Sequence, residues 1–382
     1  MKSVGIIAEY NPFHNGHLYH LNKVKELYPD AIIVLVLSGP FLQRGNPSIL
    51  NKWDKTEIAL EYGIDLVIEL PFPFATQSAD IFAKGAIQIL NHLHVDTLVF
   101  GSEQGDINLL NDLVDCQLYN KDFDLKVKEY LDEGINYPTA LSKTLSDLTN
   151  YNISAPNDLL ALSYIKEIKK LNSKIKPICI KRTNDYHSLE LNTEITSATS
   201  IRHAINQNKD IKKYVPELTL NYINKNVMIT DDYYSYLKYK IICDINNLEE
   251  YQTVDEGIEN RIKKSIYNSN NLEELIMNIK TKRYTYNKIN RMFTHILCNF
   301  KKEEANKFND IQYIRLLGFN NKGKNYLNKI KKEISIPLIT KYSDINNEML
   351  ELEFRANSIY AIISKCDKLI NLEYRSKPII KK

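Results

Sequence analysis

Cysteine is scarce in this chain. Cys116, Cys179, Cys243, Cys298 and Cys366 are the five in 382 residues, and none forms a C-x-x-C pair. That spacing excludes a disulfide scaffold and a zinc ribbon, and it predicts a reduced, cytoplasmic protein. Glycine and proline number only 12 each, which excludes collagen-like and low-complexity chains. No apolar run approaches the ~20 residues a bilayer-spanning helix needs, so no membrane partner is expected. The first residues lack a basic leader and open directly on an apolar run, so no signal peptide is expected. No protein partner is evident. What remains is ordinary globular composition, 43% hydrophobic and 25% charged, in a chain long enough for about two domains.

The net charge of +3 conceals a division. Residues 1–150 carry 11 Lys/Arg against 20 Asp/Glu, and residues 151–382 carry 39 against 27. One end repels polyanions and the other attracts them. Within 280–332 the ratio is 14 basic to 3 acidic, interleaved with Tyr284, Tyr286, Phe293, Phe300, Phe308, Tyr313, Phe319 and Tyr326. Cations for phosphates and rings for splayed bases suit an RNA surface, with Lys282, Arg283 and Arg291 as candidate contacts. The alternative is a basic helical domain whose rings form its core. Most of these rings suit that role, so the RNA expectation rests on the charge.

The first ~200 residues alternate short apolar runs with amphipathic ones. The runs are Val4–Ala8, Ala31–Leu37, Leu66–Leu70, Asp96–Phe100 and Pro177–Ile180. Helical patterns lie between the first four, at Leu18–Leu27, Trp53–Tyr62 and Ile81–Leu93. Strands that are apolar throughout predict an α/β fold with a doubly wound parallel sheet covered on both faces. Ligands of such sheets bind beyond the carboxyl ends of the strands. Residues 106–150 read as an acidic helical insertion. From about residue 208 the alternation stops, and 231–299, 304–335 and Met349–Lys365 read as helices. Leu316–Leu327 reads as a link between helices, faintly like a helix-hairpin-helix, and Pro337–Thr340 as a stray strand. The expected domains are 1–207 and a mainly α-helical 208–382.

The turn after the first run is Asn11-Pro12-Phe13-His14-Asn15-Gly16-His17, followed by Leu18, Tyr19 and His20. It delivers His14 and His17 to a helix start, where free N–H groups and the positive dipole end favour phosphate. Gly16 permits close approach of a ligand. The imidazoles add donors that can follow charge developing on a leaving pyrophosphate. His14, His17 and His20 could also be metal ligands. No cysteine or paired carboxylate completes a zinc set, so no metal site is expected. A second equipped segment, Ile195–Arg202, reads as a hydroxyl-rich helix start, and Thr199 and Arg202 are candidate phosphate contacts there.

These two motifs together resemble the nucleotidyltransferase superfamily with a HIGH-type motif. The closer resemblance is to the tRNA(Met) cytidine acetate ligase family. It is carried by Gly5–His17, Ser38–Gly45, Leu66–Phe72, Phe100–Glu103, Ala155–Ala161 and Arg283–Arg291, and it covers nearly the whole chain. The resemblance implies that 1–207 is a nucleotidyltransferase-like catalytic domain and 208–382 a tRNA-binding domain. It implies acetate activation by ATP to acetyl-adenylate, then transfer to N4 of the wobble cytidine of elongator tRNA(Met). ATP is a substrate, accompanied by Mg2+, and no tightly bound cofactor is implied. The ATP site would comprise Ile7, Ala8, Glu9, Tyr10, Asn11, Pro12, Phe13, His14, Asn15, Gly16, His17, Leu18, Tyr19 and His20, with Gly101, Asn157 and Arg182. His14 and His17 would be catalytic, and Glu9 would shape the turn or bind Mg2+ through water. One departure is Pro40, where that family is expected to have Asn; it removes a backbone donor from the loop. The competing expectations are an adenylyltransferase acting on a phosphorylated metabolite and a non-catalytic RNA-binding factor.

Overall fold

A computed structural model of the chain describes residues 1–182, 196–226 and 233–382. Eight strands form one sheet: β1 (Ser3–Ala8), β2 (Ile32–Ser38), β3 (Leu66–Leu70), β4 (Thr97–Ser102), β5 (Lys176–Lys181), β6 (Ile314–Phe319), β7 (Leu338–Ile339) and β8 (Ile379–Ile380). The order is β5-β4-β1-β2-β3-β6-β7, with β8 paired to β6. The first five strands are parallel, which matches the apolar runs of the sequence. Chain order runs outward from β1 through β2 and β3, then returns to its other side with β4 and β5. The reversal lies between β1 and β4, the position where such sheets open a ligand crevice.

Alternation along the strands splits the core between the two faces. Ile32, Val34 and Val36 of β2 join one cluster, which includes Phe82, Phe100 and Tyr164. Ile33, Leu35 and Leu37 join the other, with Leu21, Val24, Ile201 and Ala204. Both faces are therefore covered by helices, as the doubly wound reading requires.

The C-terminal half corrects one expectation and adds strands to the sheet. Residues 314–319 are not a link between helices: they form β6, which pairs antiparallel to β3 with Glu69 opposite Arg315. The sheet is therefore mixed, although parallel pairs dominate. The expected boundary at 207/208 is crossed by the sheet, because β6, β7 and β8 all come from the later segment. That segment is otherwise helical, and the short strand expected near 337–340 is present as β7. The antiparallel pairing is fastened by buried charge. Lys52 Nζ lies 2.6 Å from Glu69 and 2.8 Å from Glu373, and Arg315 lies 3.2 Å from Glu373. Among the described residues no helix is long and apolar enough to cross a membrane.

Candidate active site

The histidine turn begins where β1 ends. Tyr10 adopts φ 47°, the Asn11–Pro12 peptide is cis, and the Asn15–Leu27 helix follows. The two histidines build the start of that helix. His14 is the N-cap, and its Nδ1 accepts the Gly16 N–H at 3.0 Å. His17 Nδ1 accepts the His14 N–H at 3.3 Å, closing a reciprocal capping box. The three-residue spacing thus has a structural cause as well as a chemical one. With its Nδ1 accepting, the neutral His14 ring carries its proton on Nε2, and the His17 ring also bonds the Pro12 backbone.

The rings stay neutral because of where they lie. Burial lowers the His14 pKa to about 3, helped by the Arg182 and Arg202 charges. Burial, His14 and Arg182 hold His17 well below its usual range. His20 is lowered to about 4 by burial and Arg182. Its Nε2 is buried and has no hydrogen-bond partner among the described residues. The His14 and His17 rings sit 3.8 Å apart, centroid to centroid. Tyr10 packs against both Phe13 and His17, at 4.8 and 4.9 Å.

These rings face a cavity of about 340 Å³ at the carboxyl ends of β1, β4 and β5. Of the expected nucleotide-site residues, Ile7, Ala8, Glu9, Tyr10, Asn11, His14, Gly16, His17, Tyr19, His20, Gly101, Asn157 and Arg182 line it, as do Thr199 and Arg202. Pro12, Phe13, Asn15 and Leu18 do not line it. Phe13 stacks on Tyr62 at 5.2 Å in the core, and Asn15 donates to the carbonyls of Tyr214 and Lys213. These residues shape the turn from behind. Periodicity could not separate them from their neighbours, because a turn has none.

The opposite wall is set by β4, β5 and two helix starts. Gly101 faces Arg182, and a Cβ there would lie 3.3 Å from the arginine side chain. Arg182 Nε is buried without a hydrogen-bond partner among the described residues. Asn157 donates to Glu103 at 2.5 Å, which leaves its amide oxygen to the cavity. Arg202 donates to Asn11 O at 2.7 Å and to Thr199 Oγ1 at 3.2 Å, so it braces the histidine turn while lining the cavity. Ser197 caps this helix by accepting the Ser200 N–H. Ile195, at the start of the same motif, lies outside the described residues.

Sequence reasoning missed several contributors. Leu42, Gln43, Arg44 and Asn46 of the loop after β2 line the cavity, whereas Pro40 does not. Lys55 lies under the strand ends, donating to the carbonyls of Glu9, Ser38 and Gly39 at 3.1, 2.8 and 3.1 Å. A lysine in an ordinary helix pattern gave no signal of that. Among the described residues, no group of three or more His, Cys, Asp or Glu side chains is arranged to hold a metal ion. The three candidate RNA contacts do not form one surface feature. Lys282 and Arg283 are exposed. Arg291 is half-buried: it donates to Gln43 O, and its backbone closes on Gly45, where φ is +82° and a Cβ would lie 2.2 Å from Arg291 N.

Comparison with known proteins agrees with this geometry. The family model described as HIGH Nucleotidyl Transferase matches residues 1–373. The tRNA(Met) cytidine acetate ligase of Caldicellulosiruptor saccharolyticus is 41% identical, over 99% of this chain and 98% of that protein. The Thermoanaerobacter sp. (strain X514) protein of the same name is 40% identical, over the full length of both. A crystal structure of Thermotoga maritima TmcAL bound with alpha-thio ATP superposes with a TM-score of 0.90 at 28% identity, covering 100% of this chain and 99% of that one. Its apo form gives 0.92 with the same identity and coverage. The chain therefore belongs to the HIGH nucleotidyl transferases and, among them, to the tRNA(Met) cytidine acetate ligase family.

Proposed function

We propose that this protein activates acetate with ATP and transfers the acetyl group to N4 of the wobble cytidine of elongator tRNA(Met). The observation that carries this reading is the convergence of three neutral imidazoles and two arginines on one cavity at the sheet's reversal point. Acetate is a poor acyl donor because oxide is a poor leaving group, and adenylation replaces oxide with AMP. In the first step an acetate oxygen attacks the α-phosphorus and pyrophosphate departs. Two anions must meet, so fixed donors and cations have to offset their repulsion. His14 and His17 supply ring N–H donors to the departing pyrophosphate. Arg182 and Arg202 hold phosphate oxygens, with Thr199 beside them. Gly101 admits the nucleotide against β4, and the Asn157 amide oxygen accepts from ribose or base. Glu9 is the one carboxylate among the described lining residues. A Mg2+ ion here would be carried chiefly by the triphosphate and its waters, and its chemistry would be charge neutralisation.

In the second step the cytidine amine displaces AMP. We assign the first step to residues 1–207 and tRNA capture to the basic segment 208–382, with Lys282 and Arg283 as contacts. The compartment is the cytoplasm. Incubation with ATP, labelled acetate and total tRNA, followed by nucleoside mass analysis, tests the whole reading. Labelled acetylcytidine is the expected product. ATP consumption only with a phosphorylated metabolite would instead identify a different adenylyltransferase, and no ATP consumption at all would identify an RNA-binding factor.

A further inference from the structure

The cavity also has an apolar wall to which the reading above gives no role. Phe82, Phe100 and Tyr164 line it, and each is less than 10% exposed. Phe100 and Tyr164 are in ring contact at 5.9 Å. The Tyr164 hydroxyl has no partner among the described residues. Glu9 lies close enough for its charge to act on that phenol. Glu9 is itself fixed: one carboxylate oxygen accepts the Gln43 N–H at 2.7 Å, and the other has no partner among the described residues. An apolar wall with a held acceptor in the same cavity is the wrong site for acetate, whose charge a carboxylate repels. It suits an aromatic base that presents an N–H donor. Cytosine offers its exocyclic amine to a carboxylate acceptor, whereas uracil offers a carbonyl oxygen there and is repelled. Aromatic walls hold a base that has been drawn out of its stack.

We propose that Glu9 is the catalytic base of acetyl transfer, receiving the N4 proton of a cytosine seated against Phe82, Phe100 and Tyr164. This rests on the acetyl-transfer reading above. The N4 lone pair forms the new bond to the carbonyl carbon of acetyl-adenylate. The carbonyl carbon's bond to the phosphate oxygen breaks, and AMP leaves with that electron pair. The proton on nitrogen passes to Glu9, then to water. The amine lone pair is delocalised into the ring, so proton removal assists attack.

The test is a single-turnover assay of the full chain with synthetic acetyl-adenylate and elongator tRNA(Met), so that ATP binding is not read. Glu9→Gln retains an acceptor oxygen for Gln43 and should slow transfer by roughly 10²–10⁴-fold, the usual contribution of a positioned base. Glu9→Ala is the second variant should Glu9→Gln not fold. A transfer rate within about threefold of wild type in the folded variant would overturn the inference. Absence of transfer by wild type would overturn the proposed function instead, so the two failures are distinguishable.

Discussion

Two of the buried polar clusters among the described residues are built on opposite plans. Where β3 meets β6, Lys52, Glu69, Arg315 and Glu373 form ion pairs with side chains at most 1% exposed. Glu353 joins them, accepting the Phe72 N–H at 2.5 Å and an Asn357 amide at 2.8 Å. Burial and the neighbouring Glu69 push its carboxyl well above the usual range. Lys52 and Arg315 pair with Glu69 and Glu373, so cations and carboxylates meet inside the cluster. The histidine turn spends its ring nitrogens on a helix start. Its Nδ1 atoms cap a helix, while His20 Nε2 and the nearby Arg182 Nε have no internal partner among the described residues. Opposite charges paired inside the fold mark a cluster that holds elements together, even where Arg315 Nε and Nη1 lack hydrogen-bond partners among the described residues, and polar groups lining an open cavity mark one that awaits a ligand.

Removing one member should separate these roles most strongly. Glu373→Ala leaves Lys52 and Arg315 short of a counter-charge in the interior. An unpaired buried charge costs about 3–5 kcal/mol, so the denaturation midpoint should fall sharply while nucleotide chemistry persists in whatever remains folded. Urea titration reads the loss, and a midpoint equal to wild type would show that the cluster does not fasten β6 to β3. His17→Ala should do the reverse. Losing one transition-state donor costs ~3 kcal/mol, about a hundredfold in acetate-dependent ATP–pyrophosphate exchange, with a smaller change in stability because only a helix cap is lost. Wild-type exchange by this variant would remove the imidazoles from the chemistry.

The contrast also explains what could be read in the sequence. β1 to β5 were legible because each is apolar along most of its length, and the histidine turn was legible because rare residue types sit at fixed spacing beside a strand. β6 was not. It contains Arg315, which is 0% exposed. An arginine in a lysine-rich stretch signals solvent, and only a partner 58 residues further along, Glu373, makes its burial tolerable. Arg291 misled in the same direction: its charge suggested an RNA surface, yet it lies against the loop from Gln43 to Gly45. Lys55 was missed because its partners are strand-end carbonyls far away in sequence. Local pattern reports which face of an element is apolar, and it does not report which polar side chains have found each other.

Acid should expose the histidine cluster before the sealed one. His14 titrates near 3 and His20 near 4 in the folded protein, against 6.5 for a free imidazole. The unfolded chain therefore binds protons that the folded chain does not as pH falls below about 6.5. Stability must decline from there down toward pH 4, and the contribution is fully present above 6.5. A bound triphosphate reverses the balance, since its negative charge raises these pKa values. ATP binding should then take up protons and tighten as pH falls, by at most tenfold per pH unit for each proton. Calorimetric titration in buffers of differing ionisation enthalpy counts those protons. No uptake in wild type would mean that the phosphates do not reach the rings, and loss of uptake in His14→Ala would locate it.

The smallest effect belongs to the basic segment, and it refines the contrast at the surface. Arg283 is 44% exposed and lies 3.6 Å from Glu256, an exposed pair worth little to stability. Reversing Lys282 and Arg283 to Glu should therefore leave the denaturation midpoint nearly unmoved, unlike any change in the sealed cluster. If these side chains meet tRNA phosphates, the log–log slope of tRNA affinity against salt should become shallower by about two, one for each lost contact, and the penalty should fall only on the tRNA-dependent step. Arg291→Glu should behave differently, disturbing the Gln43–Gly45 loop and with it the cavity wall. An unchanged salt slope in the Lys282/Arg283 double variant would move the RNA surface elsewhere on the chain. A slope that changed equally in Arg291→Glu would show that the loop and the RNA contacts act as one unit.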